Sequence, residues 1–181
     1  KAGSSTRAFV FDMAGTTVND YGLIYKTLYT TIKNFGLNIK NEQELAKWHG
    51  SNKYEVLDYY LRCSPTHKNH FAELQPKLHK QLNNNLLVKY SDPKNIHWMN
   101  ENLPDLFNHF RENDIKIFLN TGYPIQIQES IIETLNMKEF VDDYISSEEV
   151  RGGRPNPSKI HQLMKRNNIG YASQLVKFGD T

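Results

Sequence analysis

Cysteine is almost absent from this sequence, since Cys63 is the single one among 181 residues. One cysteine cannot form a disulfide within the chain, so a disulfide-stapled fold and a cysteine-based zinc site are both excluded. Free cysteines are most often buried, and we expect Cys63 to be a buried thiol. This cysteine content is typical of a reducing compartment, and we therefore expect a cytoplasmic protein.

Long apolar runs and charge of one sign are also missing. No segment approaches the roughly 18 to 20 apolar residues of a membrane-spanning helix, and the first residues, KAGSSTR, lack the apolar core of a secretory signal. The 22 Lys and Arg nearly balance the 20 Asp and Glu, which gives a net charge of +2. Because the basic residues are scattered, we expect neither nucleic acid nor a membrane as a partner.

The sequence does contain an alternation of short apolar runs and helical patterns. Apolar runs predict four buried parallel strands, at residues 8–11, 115–119, 144–145 and 175–178. Helical patterns lie between them, at residues 102–113, 125–137 and 157–168. The alternation predicts an α/β fold with a parallel sheet, in which ligands bind beyond the carboxyl ends of the strands.

Residues 21–90 differ, because they show successive helical patterns and no convincing strand. We predict a helical insertion placed directly after the first strand. The core domain would then comprise residues 1–20 and 91–181, and the helical cap domain residues 21–90. An insertion at this point is expected to lie over the active edge of the sheet, as a lid does.

Polar residues follow three of the predicted strands: Asp12, then Thr121 with Gly122, then Asp180. Adjacent parallel strands bring such ends together, and two converging carboxylates suit a magnesium ion, which prefers oxygen ligands. Each residue taken singly also has an ordinary explanation, because an aspartate after a strand is more often a turn or cap residue. Their order along an α/β chain favours a site for a phosphoryl group.

Two further segments are suited to an anion. The small turn Ala14-Gly15-Thr16 is expected to expose backbone N–H groups. In the segment RGGRPNP, Arg154 can offer a bidentate fork to a phosphoryl or phosphonyl group. A plain surface cation is the alternative for Arg154.

The segments FDMAGTTV, FLNTGY, GRPNP and VKFGDT, with a helical insertion after the first, resemble the haloacid dehalogenase superfamily. Within it they resemble the phosphonoacetaldehyde hydrolases, or phosphonatases, and the likeness covers nearly the whole chain. Most of the superfamily carries Asp-x-Asp in the first segment, whereas the phosphonatase branch has alanine in the second place, like Ala14. The resemblance implies a Rossmann-like parallel-sheet core, a helical cap inserted after the first strand, and a hydrolase of small phosphonates or phosphate esters.

The resemblance also implies roles for individual residues. Asp12 would be the nucleophile that forms an aspartyl-phosphate, and Mg²⁺ would be bound by Asp12, the carbonyl of Ala14 and Asp180. Thr121 would hold the phosphoryl oxygens, while Arg154 would neutralise charge on the pentacoordinate phosphorus.

The substrate pocket is implied in the same way. Gly15 and Thr16 would line it, together with Gly122. Tyr123 matches an active-site tyrosine of the branch, although a buried structural ring is an equal alternative.

Phosphonatases use a cap lysine that forms an imine with the substrate aldehyde, and Lys53 in HGSNKYEVL stands in the matching place. The alternatives for Lys53 are a charged residue of a substrate-specificity loop and an ordinary surface lysine. His49 and Val56 depart from the pattern, because the branch has methionine and histidine there. The histidine expected to shuttle protons for the imine is therefore missing.

Two other functions stay open. A phosphatase or phosphotransferase without imine chemistry would keep the fold, and a non-catalytic homologue would bind a phosphorylated ligand. The sequence also leaves open a homodimer through the cap. Because the resembling enzymes continue beyond the GDT that ends here at Thr181, we expect the protein to be longer.

Overall fold

The computed structural model describes residues 5–49, 51–149 and 158–179. The chain divides into two compact units. One unit is formed by Lys1–Asp20 with Tyr90–Thr181, and the other by Tyr21–Lys89.

The first unit contains a parallel sheet and a small antiparallel pair. In chain order, the strands of its described residues are β1 (Ala8–Asp12), β2 (Val18–Asn19), β3 (His97–Trp98), β4 (Lys116–Thr121), β5 (Asp143–Ser146) and β6 (Leu175–Phe178). The order of the parallel sheet is β5-β4-β1-β6. The predicted α/β fold with a parallel sheet is confirmed.

The second unit is helical. Its elements are α1 (Leu23–Asn34), a 3-10 helix (Glu42–Trp48), α2 (Lys53–Cys63), a 3-10 turn (Lys68–His70) and α3 (Phe71–Tyr90), whose last residue already belongs to the first unit. No strand occurs among the described residues of Tyr21–Lys89. None of the helices described in either unit is long and apolar enough to cross a membrane.

Three helices of the first unit flank the sheet: α4 (Leu103–Glu112), α5 (Ile125–Thr134) and α6 (Ser158–Arg166). The central strand β1 is apolar from Ala8 to Phe11, before Asp12, because both of its faces are covered. One face packs into a core with Phe118, Ile145 and Leu163. On the other face, aromatic rings cluster around Phe9 and Phe11, from Phe107, Phe110 and Phe178.

The antiparallel pair of β2 and β3 has no counterpart among the predicted strands. Val18 lies opposite Trp98 and Asn19 opposite His97. Strands of two residues are too short to show a hydrophobic period, so the sequence carries no signal for them. The pair joins the two stretches of chain that lead into and out of the helical unit.

The helices of the second unit are fixed by caps and by an apolar face. The side chain of Asn41 accepts a hydrogen bond from the Glu44 N–H at 3.2 Å, and that of Asn52 accepts one from the Tyr54 N–H at 2.8 Å. The fully buried side chains of this unit are mostly aliphatic: Leu28, Ile32, Leu45, Val56, Leu57, Leu61, Leu78, Leu82 and Leu86.

The expectation of a buried Cys63 is wrong, because the thiol is exposed at the end of α2. The buried face of α2 is formed by Val56, Leu57, Tyr60 and Leu61. Cys63 is the last residue of the helix, two residues beyond the last buried position of that face.

Candidate active site

Asp12 is the last residue of β1, and its side chain is only 4% exposed. The Asn120 amide donates a hydrogen bond to Asp12 Oδ1 at 3.2 Å. The strands place this pair together, because Asp12 and Asn120 are opposite each other in the parallel register of β1 and β4. A carboxylate is thereby fixed at the carboxyl edge of the sheet, where α/β proteins bind their ligands.

Gly179 lies against the same carboxylate from the end of β6, the neighbouring strand on the other side. A Cβ atom at this position would lie only 2.7 Å from Cβ of Asp12 and would overlap its carboxyl group as well. The backbone φ of +134° at Gly179 is a second reason for glycine. The glycine of the VKFGDT segment is therefore needed to let the chain after β6 approach Asp12.

Thr121 ends β4 and is also buried, with 3% of its surface exposed. Its hydroxyl oxygen accepts a hydrogen bond from the Tyr123 N–H at 3.1 Å. Asp12, Asn120, Thr121 and Gly179 together are called the strand-end cluster below. The sheet brings them to one edge, as the polar strand ends predict.

The turn after Asp12 is closed by its own backbone. The carbonyl of Met13 accepts hydrogen bonds from the N–H groups of Thr16 and Val18, at 3.1 and 2.8 Å, and the Gly15 N–H donates to the Val18 carbonyl at 2.9 Å. The tight turn thus uses the N–H groups of Gly15 and Thr16 itself, and the role of these two residues in a substrate pocket stays a prediction. Gly15, with φ of +79°, allows the turn.

Lys53 is the first residue of α2, in the helical unit. Its amine donates to the Ser51 carbonyl at 2.8 Å and to the Tyr25 hydroxyl at 3.4 Å, and lies 4.8 Å from the centre of the Tyr25 ring. Burial lowers the pKa of the Lys53 amine below its usual range. The hydroxyl of Tyr25 is also 3.0 Å from Nδ1 of His49. These four residues are called the lysine site below.

Val56 is fully buried in the helical unit. It faces the apolar core of that unit, so this position of α2 is occupied by packing and not by a proton-transferring group. A core-packing valine therefore stands where the phosphonatase pattern has a histidine.

Arg154 and Asp180 lie outside the described residues, so their predicted roles stay predictions. Among the residues that the structure does describe, no three His, Cys, Asp or Glu side chains are grouped as a metal site. The oxygen atoms at the strand-end cluster nevertheless suit a hard cation. They include the Asp12 carboxylate and the buried Oδ1 of Asn120, which has no hydrogen-bond partner within the described chain.

Comparison with known families gives a match to Haloacid dehalogenase-like hydrolase over residues 9–181. The chain belongs to this family. The match includes the strand-end cluster and the helical unit, and it confirms the resemblance inferred from the sequence segments.

Two relatives carry phosphonate chemistry in their names. A bifunctional phosphonoacetaldehyde hydrolase/aminoethylphosphonate transaminase of Clostridioides difficile is 26% identical over 99% of this chain and 29% of its own length. A phosphonoacetaldehyde hydrolase of Bacillus cereus is 26% identical over 96% of this chain and 68% of its own length. The chain thus spans less than a third of the first relative.

Solved structures of the haloacid dehalogenase-like family share the fold. A haloacid dehalogenase-like hydrolase from Bacteroides fragilis is similar with a TM-score of 0.76 at 12% identity, over 98% of this chain and 80% of that one. CbbY from Rhodobacter sphaeroides, in complex with xylulose-(1,5)bisphosphate, is similar with a TM-score of 0.74 at 14% identity, over 95% and 76% of the two chains.

Lys159 lies next to the candidate site but was not predicted as a site residue. It lies on α6, is only 3% exposed, and donates from Nζ to the Thr121 carbonyl at 3.3 Å. Lysines are almost never fully buried without a partner. The amine thus lies against the strand-end cluster at the Thr121 carbonyl. In the sequence, Lys159 resembles any polar residue of an amphipathic helix.

Tyr123 is buried, and its hydroxyl donates to Asp20 Oδ2 at 2.8 Å. Tyr90 donates to the same oxygen at 2.8 Å, and burial raises the pKa of the Tyr90 hydroxyl. The two hydroxyls, of Tyr90 and Tyr123, therefore hold the same carboxylate oxygen of Asp20. This network favours the structural alternative for Tyr123, while Gly122 beside it is exposed.

Proposed function

We propose that the protein is a magnesium-dependent phosphonatase-like hydrolase that cleaves a small phosphonate bearing an aldehyde, such as phosphonoacetaldehyde. The observation that carries the proposal is the environment of Lys53. An amine attacks an aldehyde only when it is unprotonated, and burial lowers the pKa of this amine. Two relatives named for phosphonoacetaldehyde hydrolase support the same substrate class.

The first step of the proposed reaction is imine formation. The Lys53 nitrogen attacks the aldehyde carbon, the carbonyl oxygen leaves as water, and a cationic iminium remains. This cation is an electron sink two bonds from phosphorus. It makes the carbon a good leaving group, which is needed because Ala14 replaces the acid that would otherwise protonate the leaving group.

The second step is phosphoryl transfer to Asp12. A carboxylate oxygen attacks phosphorus, the C–P bond breaks, and its electron pair moves into the iminium to form an enamine. Asn120 holds the other carboxylate oxygen at 3.2 Å, which orients Asp12 for attack. Water then hydrolyses the aspartyl-phosphate. The enamine takes up a proton and becomes an iminium, and a second water molecule hydrolyses this iminium to acetaldehyde and the free amine.

The phosphoryl group would be held by residues around the strand-end cluster. The Thr121 hydroxyl and Arg154 would bind its oxygens, and Lys159 would add positive charge from behind Thr121. Magnesium would be held by Asp12, the Ala14 carbonyl and Asp180, where it would offset negative charge on the phosphoryl oxygens. We further propose that the helical unit acts as a cap, because Asp12 and Lys53 must reach the same substrate molecule.

A second candidate is a phosphatase or phosphotransferase without imine chemistry. The observations favouring it are the departures at His49 and Val56, and a fold shared with a protein solved with a sugar bisphosphate. Lys53 would then contact a substrate anion. A third candidate, a non-catalytic binder of phosphorylated ligands, is motivated only by Ala14.

Borohydride trapping separates these candidates. With phosphonoacetaldehyde and borohydride, we expect one reduced adduct at Lys53 by mass spectrometry, and none in Lys53→Arg, which keeps the charge but cannot form the imine. Lys68→Arg, at an exposed position of the same unit, is the matched control. Hydrolysis of phosphate esters without any adduct would establish the second candidate, and ligand binding without either reaction would establish the third.

A further inference from the structure

Lys53 is connected to a histidine through a tyrosine. The Lys53 amine donates to the Tyr25 hydroxyl at 3.4 Å, and that hydroxyl lies 3.0 Å from Nδ1 of His49. The rings of Tyr25 and His49 are nearly parallel, with an interplanar angle of 20° and centres 5.7 Å apart. Lys53 of α2, Tyr25 of α1 and His49, just after the 3-10 helix Glu42–Trp48, thus form one continuous hydrogen-bonded chain.

The three side chains have the donor and acceptor groups that proton transfer from Lys53 to His49 needs. An ammonium can only donate, a tyrosine hydroxyl both accepts and donates, and a neutral imidazole nitrogen without a proton accepts. With Nδ1 of His49 unprotonated, protons can move from Lys53 to Tyr25 and from Tyr25 to His49. His49 is exposed, so it can exchange its proton with water, whereas the Lys53 amine is partly buried.

We propose that Tyr25 and His49 form a proton relay that deprotonates Lys53 for imine formation and returns the proton to the departing water. The inference rests on the proposed imine chemistry of Lys53. Tyr25 would exchange protons with the Lys53 amine and with the carbinolamine formed on it, and His49 would act through Tyr25. The relay would transfer the protons that position 56 cannot, because valine has no group that accepts or donates a proton. Val56 is also buried in the core of the helical unit.

The proposed steps balance in protons and charge. One N–H bond of the Lys53 ammonium breaks as the Tyr25 hydroxyl gains that proton and gives its own to His49. The neutral amine then adds to the aldehyde and forms a carbinolamine. The proton on His49 returns through Tyr25 to the carbinolamine oxygen, water leaves, and an iminium on Lys53 and a neutral His49 remain.

The 3-10 helix Glu42–Trp48, which leads into His49, carries further ionisable groups. Glu42 lines a pocket of about 280 Å³ together with Tyr25. Lys47 lies over the rings of Trp48 and Tyr59, at 5.6 and 5.5 Å from their centres. Glu42→Gln therefore belongs in the test, since the carboxylate shares a pocket wall with the relay tyrosine.

The test measures the rate of imine formation against pH. Protein carrying Asp12→Asn, which holds the reaction before C–P cleavage, is mixed with phosphonoacetaldehyde, quenched with borohydride at set times, and analysed by mass spectrometry for the Lys53 adduct. We expect an acidic limb, in which the rate falls as pH falls, because a protonated imidazole cannot accept the proton from Tyr25. His49→Gln and Tyr25→Phe should each remove this limb and slow imine formation at least about 10-fold, whereas Glu42→Gln should retain it.

Matched controls are Tyr29→Phe, one turn further along α1, and His70→Gln, an exposed histidine of the same unit. Both should reproduce the parent profile. If His49→Gln and Tyr25→Phe form the adduct with an unchanged pH profile, whether or not they are slower, the relay is wrong and the proposed function stands. If the parent forms no adduct at Lys53, the imine chemistry and the relay are both wrong.

Discussion

The strand-end cluster and the lysine site are built in different ways. In the strand-end cluster, Asp12 and Asn120 are set opposite each other by strand register, and Gly179 closes the space from the next strand. In the lysine site, Lys53 and Tyr25 come from two helices and His49 from the turn after a 3-10 helix, and the three residues meet through their side chains. The first site depends on backbone geometry, and the second on packing that sets the environment of one amine.

The largest expected effect is the loss of phosphate release when Asp12 of the strand-end cluster is replaced. Asp12→Asn keeps the shape of the side chain but removes the nucleophile, so phosphate release should fall by at least about 1,000-fold. Steady-state phosphate assays with phosphonate and phosphate ester substrates measure this. Asp105→Asn, at an exposed position of α4, should retain full activity. Equal rates for Asp12→Asn and the parent would remove Asp12 as the nucleophile.

A methyl group at Gly179 should disrupt the same cluster, because the backbone after β6 could no longer approach Asp12 so closely. Gly179→Ala would force Cβ into the Asp12 carboxyl group, so we expect about 1 to 3 kcal/mol lower unfolding free energy and loss of most activity. Urea unfolding and phosphate assays measure the two effects. At Gly170 no atom lies within 4 Å of the point that an added Cβ would occupy, so Gly170→Ala should be nearly neutral. Similar results for both variants would contradict the close approach.

A smaller loss of stability is expected when the hydrogen bonds of Tyr90 and Tyr123 to Asp20 are changed. Tyr90→Phe removes one of two tyrosine donors to Asp20, and Tyr123 keeps the other, so unfolding free energy should fall by about 1 kcal/mol. Tyr171→Phe is the control, since that side chain is 70% exposed. A Tyr90→Phe protein as stable as the parent would show that the hydrogen bond contributes nothing net.

The smallest expected effect is a pH-dependent change in unfolding free energy at the lysine site. Burial lowers the pKa of Lys53 in the folded protein, so between that pKa and the unfolded value of about 10.4 the unfolded state binds more protons. Stability from this group therefore rises with pH in that window, and below it the cost of burying the ammonium is fully present. Any stability gained by Lys53→Met should shrink as pH rises through the window.

Urea unfolding at several pH values between neutral and alkaline measures this trend, with Lys68→Met as the matched control. A difference between Lys53→Met and the parent that stays constant with pH would show that burial does not depress the Lys53 pKa.

The elements of the sheet can be predicted from the sequence because their apolar runs are unambiguous. The apolar residues at 115–119 predict a strand, and β4 extends it to Thr121. The two-residue strands β2 and β3 could not be predicted, because pairing between residues so far apart in the chain leaves no local pattern.

Side-chain environments are less predictable than elements. Cys63 is expected to be buried and is exposed, while Lys159 resembles a surface lysine and is buried. In both cases the residue type gives only an average preference, and the position of the residue in its helix decides its environment.

Local sequence was sufficient for the α/β alternation, the helical insertion and the polar ends of β1 and β4, because hydrophobic period and turn residues are properties of neighbouring positions. It was not sufficient for three contacts between distant residues: Gly179 against Asp12, Lys159 behind Thr121, and Tyr25 between Lys53 and His49. These contacts depend on which remote segments pack together, and the free energy of that packing is set by the whole fold.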